Sequence, residues 1–338
     1  MTVPRQNLDA IGQRATARCR PWSLRTVIAA CLLLVACQPS RQVSTTEIAT
    51  RVVTVVTTTS IVADLVARVG GDRVVVDALM GPGVDPHLYK ASEGDITRMA
   101  SADLLFYSGL HLEGRMTDVF EQMARRGVRA VAVTAGLDRR HLLSPPEFKG
   151  NYDPHVWFDA RLWASTIPGV VQTLSDLDPT FAGDYQRRAA AYAEELDALD
   201  RYVRAEAQQV SAAQRVLVTA HDAFNYFGRA YGFEVRALQG ISTATEAGTG
   251  DVQRLADFIA DRRIPALFIE ASVAPRGIEA VQAAVRARGF SVVIGGSLFS
   301  DSLGTPGTPE GTYVGTVRHN IRTIVSGLAG VPARTVTR

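Results

Sequence analysis

Two short stretches of the sequence share the tripeptide Asp-Pro-His, Asp85–His87 and Asp153–His155, although the chain contains only six histidines. Proline fixes its own φ angle and drives the preceding residue toward extended geometry, so each histidine lies on a stiffened loop. An imidazole held in one direction is suited to binding a metal ion. One such tripeptide alone would more simply be a surface turn. Two copies, followed later in the chain by further ligand-type residues, favour a metal site.

Two further candidate ligands follow predicted strands in the second half of the chain. His221 comes directly after the apolar run Val216–Ala220 and before a predicted helix. Asp301 comes shortly after a strand predicted to end at Ile294. Both positions lie at the carboxyl ends of strands, which is the edge of an open parallel sheet where ligands bind. The residues that the sequence assigns to one site are therefore His87, His155, His221 and Asp301.

The residue types in this set indicate a particular ion and a particular kind of site. Three neutral imidazoles and one carboxylate suit Zn²⁺, which takes such ligands in a tetrahedron at about 2.0–2.2 Å. Catalytic zinc usually keeps one position open for water. Four protein ligands leave no such position, so the set favours binding of the metal over hydrolysis.

The elements that must position these residues follow from the hydrophobic pattern. From Val52 onward, four β-branched runs in each half alternate with helical patterns, which is typical of parallel sheets with helical crossovers. A helix is predicted to begin near Asp159, with a kink at Pro168. Apolar residues then recur at helical spacing from Pro179 to Val210, which predicts one helix roughly 45 Å long. The predicted fold class is α/β, with two similar lobes of parallel four-stranded sheets flanked by helices, joined by one long rigid helix, and the metal site in the interlobe cleft.

The N-terminal residues have the pattern of an export signal. Arg20 and Arg25 precede the apolar run Val27–Ala36, which is too short to span a bilayer as a mature helix. The run is followed by Cys37, and Leu34-Val-Ala-Cys37 is similar to a bacterial lipoprotein box, in which cleavage leaves the cysteine as a lipid-carrying N-terminus. An ordinary secretory signal with a chance cysteine is the alternative.

The composition of the chain limits the possible metal ligands and partners. Beyond the predicted signal, Cys37 is the only cysteine, so a metal must be held by nitrogen and oxygen. The net charge of +2 gives no indication of nucleic-acid binding. The predicted divisions are a signal peptide (1–36), a lipid anchor with a flexible tether (37–51), an N-terminal lobe (52–178), a linking helix (179–210), a C-terminal lobe (211–330) and a tail (331–338).

An ordered set of motifs gives the chain a resemblance to a known family from about Val53 to Leu328. The motifs are Thr57-Thr-Thr-Ser-Ile-Val-Ala-Asp64, Asp85-Pro-His-Leu-Tyr89, Ser108-Gly-Leu-His-Leu-Glu113, Asp153-Pro-His-Val-Trp157, Thr219-Ala-His-Asp-Ala-Phe224, Gln239-Gly-Ile-Ser-Thr243 and Asp301-Ser-Leu-Gly304. Together they resemble the metal-specific substrate-binding proteins of bacterial ABC importers, of the zinc and manganese type. The resemblance implies two α/β lobes joined by a single long helix. The four metal ligands of the family fall on His87, His155, His221 and Asp301.

Two departures from the family pattern bear on the metal. Many zinc-dedicated members carry a long loop rich in His and acidic residues between the first two ligands, whereas residues 114–152 contain only His141. Manganese-dedicated members of the adhesin-like branch usually have Glu at the third ligand, where this chain has His221. Imidazole-rich sites hold Zn²⁺ more tightly than Mn²⁺ in the Irving–Williams order, so Zn²⁺ is predicted, with Mn²⁺ as the alternative.

The expected function is that of a monomeric, non-enzymatic receptor. It would be anchored to the cell membrane through Cys37 on the extracytoplasmic side, bind a divalent metal ion there and pass it to an ABC permease. A zinc-dependent hydrolase, with Asp301 or Glu270 as base, is one alternative, but no His-Glu-x-x-His pair and no Gly-x-Ser-x-Gly motif occur in the sequence. A surface adhesin is another, since relatives often have that activity attributed to them.

The other histidines and two glutamates are not predicted to bind the metal directly. Glu270 ends a strand at the same edge as His221, so it is expected either to hydrogen-bond a ligand or to cap a helix or bridge the lobes. For His111 a surface or core role is favoured over contact with a ligand. A solvent-exposed or packing role is predicted for His141, Glu246 and His319.

Overall fold

The computed structural model describes residues 48–148 and 150–330, in which strands alternate with helices. The strands of the first half form one parallel sheet in the order β2-β1-β3-β4. They are β1 (Val53–Thr57), β2 (Val74–Ala78), β3 (Leu104–Tyr107) and β4 (Arg129–Ala132). The helices between them are α1 (Ser60–Gly70), α2 (Glu93–Ser101) and α3 (Thr117–Arg125).

The first half follows its sequence signals closely. In β1 the valines Val53, Val55 and Val56 are buried, as expected for a strand covered on both faces. Helix α2 begins with a reciprocal cap, in which the Ser92 hydroxyl accepts the N–H of Asp95 and the Asp95 carboxylate accepts the N–H of Ser92. This cap ends the loop that carries His87 and fixes where the helix begins.

The region around Pro168 differs from the sequence prediction. Instead of one kinked helix, the chain forms α4 (Ala160–Ala164) and α5 (Ile167–Leu177). The Asp159 side chain caps α4 by accepting the N–H groups of Arg161 and Leu162. Pro168 lies in the first turn of α5, where its missing N–H removes no helical hydrogen bond. The proline therefore starts a second helix, and the prediction of a kink was wrong.

The long helix is α6 (Ala182–Ala207), preceded by a 3₁₀ turn over Pro179–Phe181. Its 26 residues correspond to about 39 Å. Its buried face packs against helices from both halves of the chain, so one continuous apolar core extends along the helix. The residues that form this face are those whose spacing predicted the helix: Tyr185, Ala189, Tyr192, Leu196, Leu199 and Val203.

The second half repeats the alternation of strand and helix. Its strands are β5 (Val216–His221), β6 (Glu234–Gln239), β7 (Ala266–Glu270) and β8 (Val293–Leu298). Its helices are α7 (Asn225–Tyr231), α8 (Thr249–Arg262), α9 (Arg276–Ala287) and α10 (Tyr313–Ala329). The prediction of parallel strands flanked by helices is confirmed in both halves.

One detail of the second half departs from the predicted four-stranded sheet. Strand β5 pairs with β6 and β7 pairs with β8, which gives two two-stranded parallel sheets among the described residues. Strands β5 and β7 lie side by side. At their carboxyl ends the side chain of Glu270 accepts the backbone N–H groups of Ala220 and His221. A carboxylate thus takes the place that a backbone ladder would have there.

The folded body begins before the predicted boundary at Val52. Ile48 is fully buried, and its carbonyl accepts a hydrogen bond from the Arg73 guanidinium at 2.5 Å. The predictions for the signal peptide 1–36, for Cys37 and for the tail 331–338 fall outside the described residues. Within residues 48–148 and 150–330, we find no helix with the length and apolar character needed to cross a membrane.

Candidate metal centre

The four residues predicted as ligands lie together at the carboxyl ends of the strands. Their ligand atoms are all within 4.8 Å of one another, and all four side chains are buried. His87 Nε2 lies 3.3 Å from His155 Nε2. The two oxygens of Asp301 lie 3.4 Å from His155 Nε2 and 3.3 Å from His221 Nε2. Residues that are far apart in sequence therefore present nitrogen and oxygen atoms to one point.

Three of these separations, two of which involve different oxygens of Asp301, are close to the spacing of ligands around a small tetrahedral cation. In a regular tetrahedron with bonds of 2.0–2.1 Å, two ligand atoms are about 3.3–3.4 Å apart. Two of the atoms also have no hydrogen-bond partner although they are buried, namely His221 Nε2 and Asp301 Oδ1. A buried polar atom without a partner carries a free-energy cost that a cation at this point would remove. The donor set present in the chain thus fits a divalent metal ion.

The Asp-Pro-His tripeptides form similar turns with different second contacts. In each, Oδ1 of the aspartate accepts the backbone N–H of the histidine, at 2.8 Å for Asp85 and 3.0 Å for Asp153. Oδ1 of Asp153 also lies 2.8 Å from Nδ1 of His155. This second hydrogen bond fixes the tautomer of His155 and directs its Nε2 toward the centre. The repeated tripeptide therefore places both histidines, but a carboxylate orients the ring only in the second copy.

Glu270 orients the third histidine. Its Oε1 accepts the N–H groups of Ala220 and His221 at 2.7 and 2.9 Å, and its Oε2 lies 2.5 Å from Nδ1 of His221. Of the two roles left open by the sequence, hydrogen bonding to a candidate ligand is the one that the structure shows. A carboxylate at the second nitrogen of a ligating histidine is a common arrangement at metal sites because it fixes the ring and increases its basicity.

Asp301 lies on a short loop that residues from both halves of the chain hold in place. The indole N–H of Trp157 donates to the carbonyl of Ser300 at 2.9 Å. The Ser272 hydroxyl, which lies 2.9 Å from that of Ser300, donates to Asp301 Oδ2 at 3.2 Å. The N–H of Gly83 donates to the Ser302 hydroxyl at 2.9 Å. The loop that carries the carboxylate is thus fixed on both sides of Asp301.

Mutual contacts shift the ionisation of all four residues. Burial lowers the pKa of His87 to about 3. Burial alone would lower the pKa of His155 as well, but the hydrogen bond to Asp153 and the charges of Asp153 and Asp301 outweigh it and raise that pKa to about 9. Burial also opposes the charged form of His221, yet Glu270 and Asp301 raise its pKa. The same two histidines hold the pKa of Asp301 well below its usual range despite burial.

The remaining histidines do not join the centre. His111 is exposed and has a positive φ of 66°, and His141 is exposed. His319 is half-buried and lies with Nε2 3.0 Å from the carbonyl of Ser297. Glu246 is exposed and pairs with Arg276 at 2.6 Å. These positions agree with the surface or packing roles predicted from the sequence.

The sequence did not predict the contacts by which three residues hold the candidate ligands. Asp153 and Asp85 were visible as part of the repeated tripeptide, but their hydrogen bonds to the histidines were not predicted. Ser272 had no signal in the sequence, because its contact with Asp301 depends on two loops meeting. Glu113 is a further buried carboxylate, which accepts hydrogen bonds from Thr58, Ser108 and Gly109.

Comparison with known proteins identifies relatives over most of the chain. A family model described as "Zinc-uptake complex component A periplasmic" matches residues 55–327. The zinc-binding protein TroA of Treponema pallidum (strain Nichols) is 52% identical over 276 residues, which cover 81% of this chain and 88% of that protein. The manganese-binding lipoprotein MntA of Bacillus subtilis (strain 168) is 45% identical over 274 residues, which cover 81% and 89%.

The fold is also similar to that of a solved structure. The periplasmic zinc-binding protein TroA from Treponema pallidum superposes with a TM-score of 0.79 at 50% sequence identity, over 82% of this chain and 99% of that one.

A more distant relative, the iron-binding protein YfeA of Yersinia pestis, is 32% identical over 273 residues, which cover 81% of this chain and 85% of that protein. The relatives of this chain are thus named for different metals, namely zinc, manganese and iron.

Proposed function

We propose that this chain, which belongs to the family of the periplasmic zinc-uptake complex component A, captures Zn²⁺ outside the cytoplasmic membrane and delivers it to an ABC permease. Family membership confirms the resemblance predicted from the sequence. It also confirms that the protein is a metal-binding solute receptor of ABC importers and not an enzyme. The hydrolase alternative is therefore discarded.

The choice of Zn²⁺ rests on the convergence of three imidazoles and one carboxylate, whose ligand atoms all lie within 4.8 Å of one another. Such a set follows the Irving–Williams order and holds Zn²⁺ more tightly than Mn²⁺, which prefers more oxygen ligands in octahedral geometry. The names of relatives do not decide, since TroA is named for zinc and MntA for manganese. The same role with Mn²⁺ is the second candidate, and the 45% identity to MntA favours it.

The proposed ligands are His87, His155, His221 and Asp301, and the ion is the cargo of the protein. The first two come from residues 52–178 and the last two from residues 211–330, which we propose act as two lobes joined by the helix within 179–210. The site lies between these lobes. Because each proposed lobe supplies two of the ligands, the ion joins the two lobes. When the ion leaves, that connection is lost.

We further propose that Cys37 carries the lipid that holds a monomeric receptor at the membrane. This is supported by the tetrapeptide Leu34–Cys37 and by relatives that are named as lipoproteins. Mass spectrometry of the mature N-terminus tests it, with Cys37→Ala as the control. A mature N-terminus at another residue would contradict the assignment.

Metal content and competition test the identity of the ion. Protein purified without added metal is analysed for its elements, and Zn²⁺ and Mn²⁺ then compete at equal free concentrations. We expect zinc to be retained and to displace manganese. A preference for Mn²⁺ would replace zinc by the second candidate.

Two substitutions test the site itself. His87→Ala and His221→Ala are expected to weaken zinc binding strongly, because each removes one of four ligands. His141→Ala, at an exposed histidine, is the control and should bind as the wild type does. Wild-type affinity in both His87→Ala and His221→Ala would refute the site.

A further inference from the structure

The four proposed ligands are not equally shielded from solvent. His155 and His221 have no exposed surface and Asp301 is 1% exposed, whereas His87 is 5% exposed. The next residue, Leu88, is 41% exposed. The centre therefore approaches the surface at His87.

A cavity of about 270 Å³ opens on this side of the centre. It reaches the neighbours of three ligands. Asp85 belongs to the tripeptide of His87, Ala220 precedes His221, and the Ser272 hydroxyl donates to Asp301. One water in the liquid occupies about 30 Å³, so the cavity has room for a metal ion with most of its hydration shell. An ion could lose its waters there one at a time as it gains protein ligands.

One short hydrogen bond crosses this cavity between the two halves of the chain. The Thr243 hydroxyl donates to Oδ2 of Asp85 at 2.6 Å, and Oδ1 of Asp85 accepts the N–H of His87 at 2.8 Å. Thr243 lies in the segment 240–248 between β6 and α8, which has no helix or strand. Two contacts with the second half of the chain thus hold the loop that carries the outermost ligand, this one and the hydrogen bond from Gly83 to Ser302. The Thr243 side chain is the one that acts on the aspartate bonded to His87.

The second tripeptide shows that this arrangement is specific to the first. Asp153 is fully buried, and its two oxygens contact His155 and the amide of Asn225 on helix α7. Asp85 is half-buried and lines the cavity. The aspartate of the tripeptide is therefore buried and bonded through both oxygens in the second copy. In the first copy the aspartate can be reached from the cavity.

We propose that the metal ion enters and leaves through this cavity, and that Thr243 is the positioning residue that sets the rate of passage by holding Asp85, and through it His87, in place. The proposal rests on the proposed function. When the Thr243–Asp85 hydrogen bond opens, the loop of His87 moves away from the segment 240–248. His87 is then the first ligand to leave, and the other three hold the ion until water replaces it.

Kinetics of metal exchange test the role of Thr243. In Thr243→Val, which keeps the shape but removes the donor, capture and release of Zn²⁺ are both expected to be about 10- to 100-fold faster, in line with the loss of one hydrogen bond to a charged acceptor. The dissociation constant should change by less than about threefold, because Thr243 contacts none of the ligand atoms. Stopped-flow mixing with Zn²⁺ and with a chromogenic chelator measures the two rates.

Matched variants separate this role from a structural one. Thr245→Val, at an exposed threonine of the same segment, should exchange metal as the wild type does, and Thr243→Ser should restore slow exchange. Wild-type rates in Thr243→Val would overturn the proposal, and so would a raised dissociation constant with an unchanged capture rate. If the wild type itself bound neither Zn²⁺ nor Mn²⁺, the proposed function would fail as well, so the two failures are distinguishable.

The route can be tested without disturbing the hydrogen bond. Ala274 is exposed and lines the cavity. Ala274→Trp fills part of it and is expected to slow capture and release together, at nearly the same dissociation constant. Unchanged rates in this variant would show that the ion passes elsewhere.

Discussion

Oε2 of Glu270 lies 2.5 Å from Nδ1 of His221, and the same carboxylate accepts the backbone N–H groups at the end of strand β5. One side chain thus joins two neighbouring strands and sets the direction of a candidate metal ligand. Three N–H groups converge on it, all of them buried. Both the backbone position and the ring orientation of His221 therefore depend on Glu270.

We predict that Glu270→Gln weakens zinc binding about 10- to 100-fold. The amide of glutamine has only one acceptor oxygen, so at least one of the three N–H groups of Ala220 and His221 would face its NH₂ group. Titration of zinc against a competing chelator measures the effect. Glu246→Gln, at an exposed carboxylate, is the control, and equal affinities in the two variants would contradict the role of Glu270.

Zinc affinity should increase with pH up to about pH 9. Asp153 and Asp301 raise the pKa of His155 to about 9, so at neutral pH this ring must release a proton before it can ligate. Below that pKa, each proton released makes the apparent affinity increase roughly tenfold per pH unit. Above it, this contribution disappears.

Calorimetry in buffers with different ionisation enthalpies counts the protons released on binding. Asp153→Asn removes one charge that raises the pKa of His155, so its affinity should depend less steeply on pH between 7 and 9. An affinity that stays constant across this interval in the wild type would be inconsistent with the raised pKa.

Removal of the metal should lower the melting temperature. A ligand at one hundred times its dissociation constant stabilises the folded state by about 2.7 kcal/mol. For a folded chain of this length, whose entropy of unfolding is about 0.6 kcal/mol/K, that corresponds to roughly 4–5 °C. Calorimetric melting with zinc and with a chelator measures the shift. His221→Ala should show almost none, and a full shift in that variant would indicate stabilisation from another site.

Asp178→Asn should destabilise the fold without affecting the metal. The Arg73 guanidinium bonds to Asp178 at 2.6 Å, with side-chain exposures of only 10% and 1%, and Tyr185 also donates to this carboxylate. Removing one partner of a buried ion pair costs about 3–5 kcal/mol. Denaturant unfolding measures the loss, and zinc titration should give the wild-type dissociation constant.

The neighbouring Asp176 offers a matched control. It pairs with Arg129, but both side chains are more than 40% exposed. Exposed pairs contribute about 0–1 kcal/mol, so Asp176→Asn should unfold nearly as the wild type does. Equal losses of stability in the two variants would argue against a special role for the buried pair.

The sequence predicted most of the fold because its local signals agree with one another. The spacing of apolar residues between Pro179 and Val210 predicted the long helix, of which α6 is the main part. The kink at Pro168 was predicted wrongly because a separate helix begins at Ile167, so the proline falls in a first turn, where its missing N–H removes no helical hydrogen bond. The break between β5 and β7 involves the side chain of Glu270, which no strand pattern reveals.

The sequence predicted the four candidate ligands but not the residues that hold and orient them. Strand ends and the repeated tripeptide locate His87, His155, His221 and Asp301, because those signals lie within a few residues of each ligand. Apart from the local contacts within the two tripeptides, the contacts that support the ligands join distant parts of the chain. Thr243 reaches Asp85 across 158 positions, and Ser272 reaches Asp301 only after two loops have met.

Helix α6 has a consequence for how a membrane partner would recognise this receptor. A continuous helix of 26 residues, packed along one face against both halves, resists bending, so the outline of the protein should change little between its loaded and empty forms. A transporter that encounters both the loaded and the empty form cannot distinguish them by their overall shape. It must instead sense small differences near the candidate metal centre, where Leu88 is exposed, or depend on how long each encounter lasts.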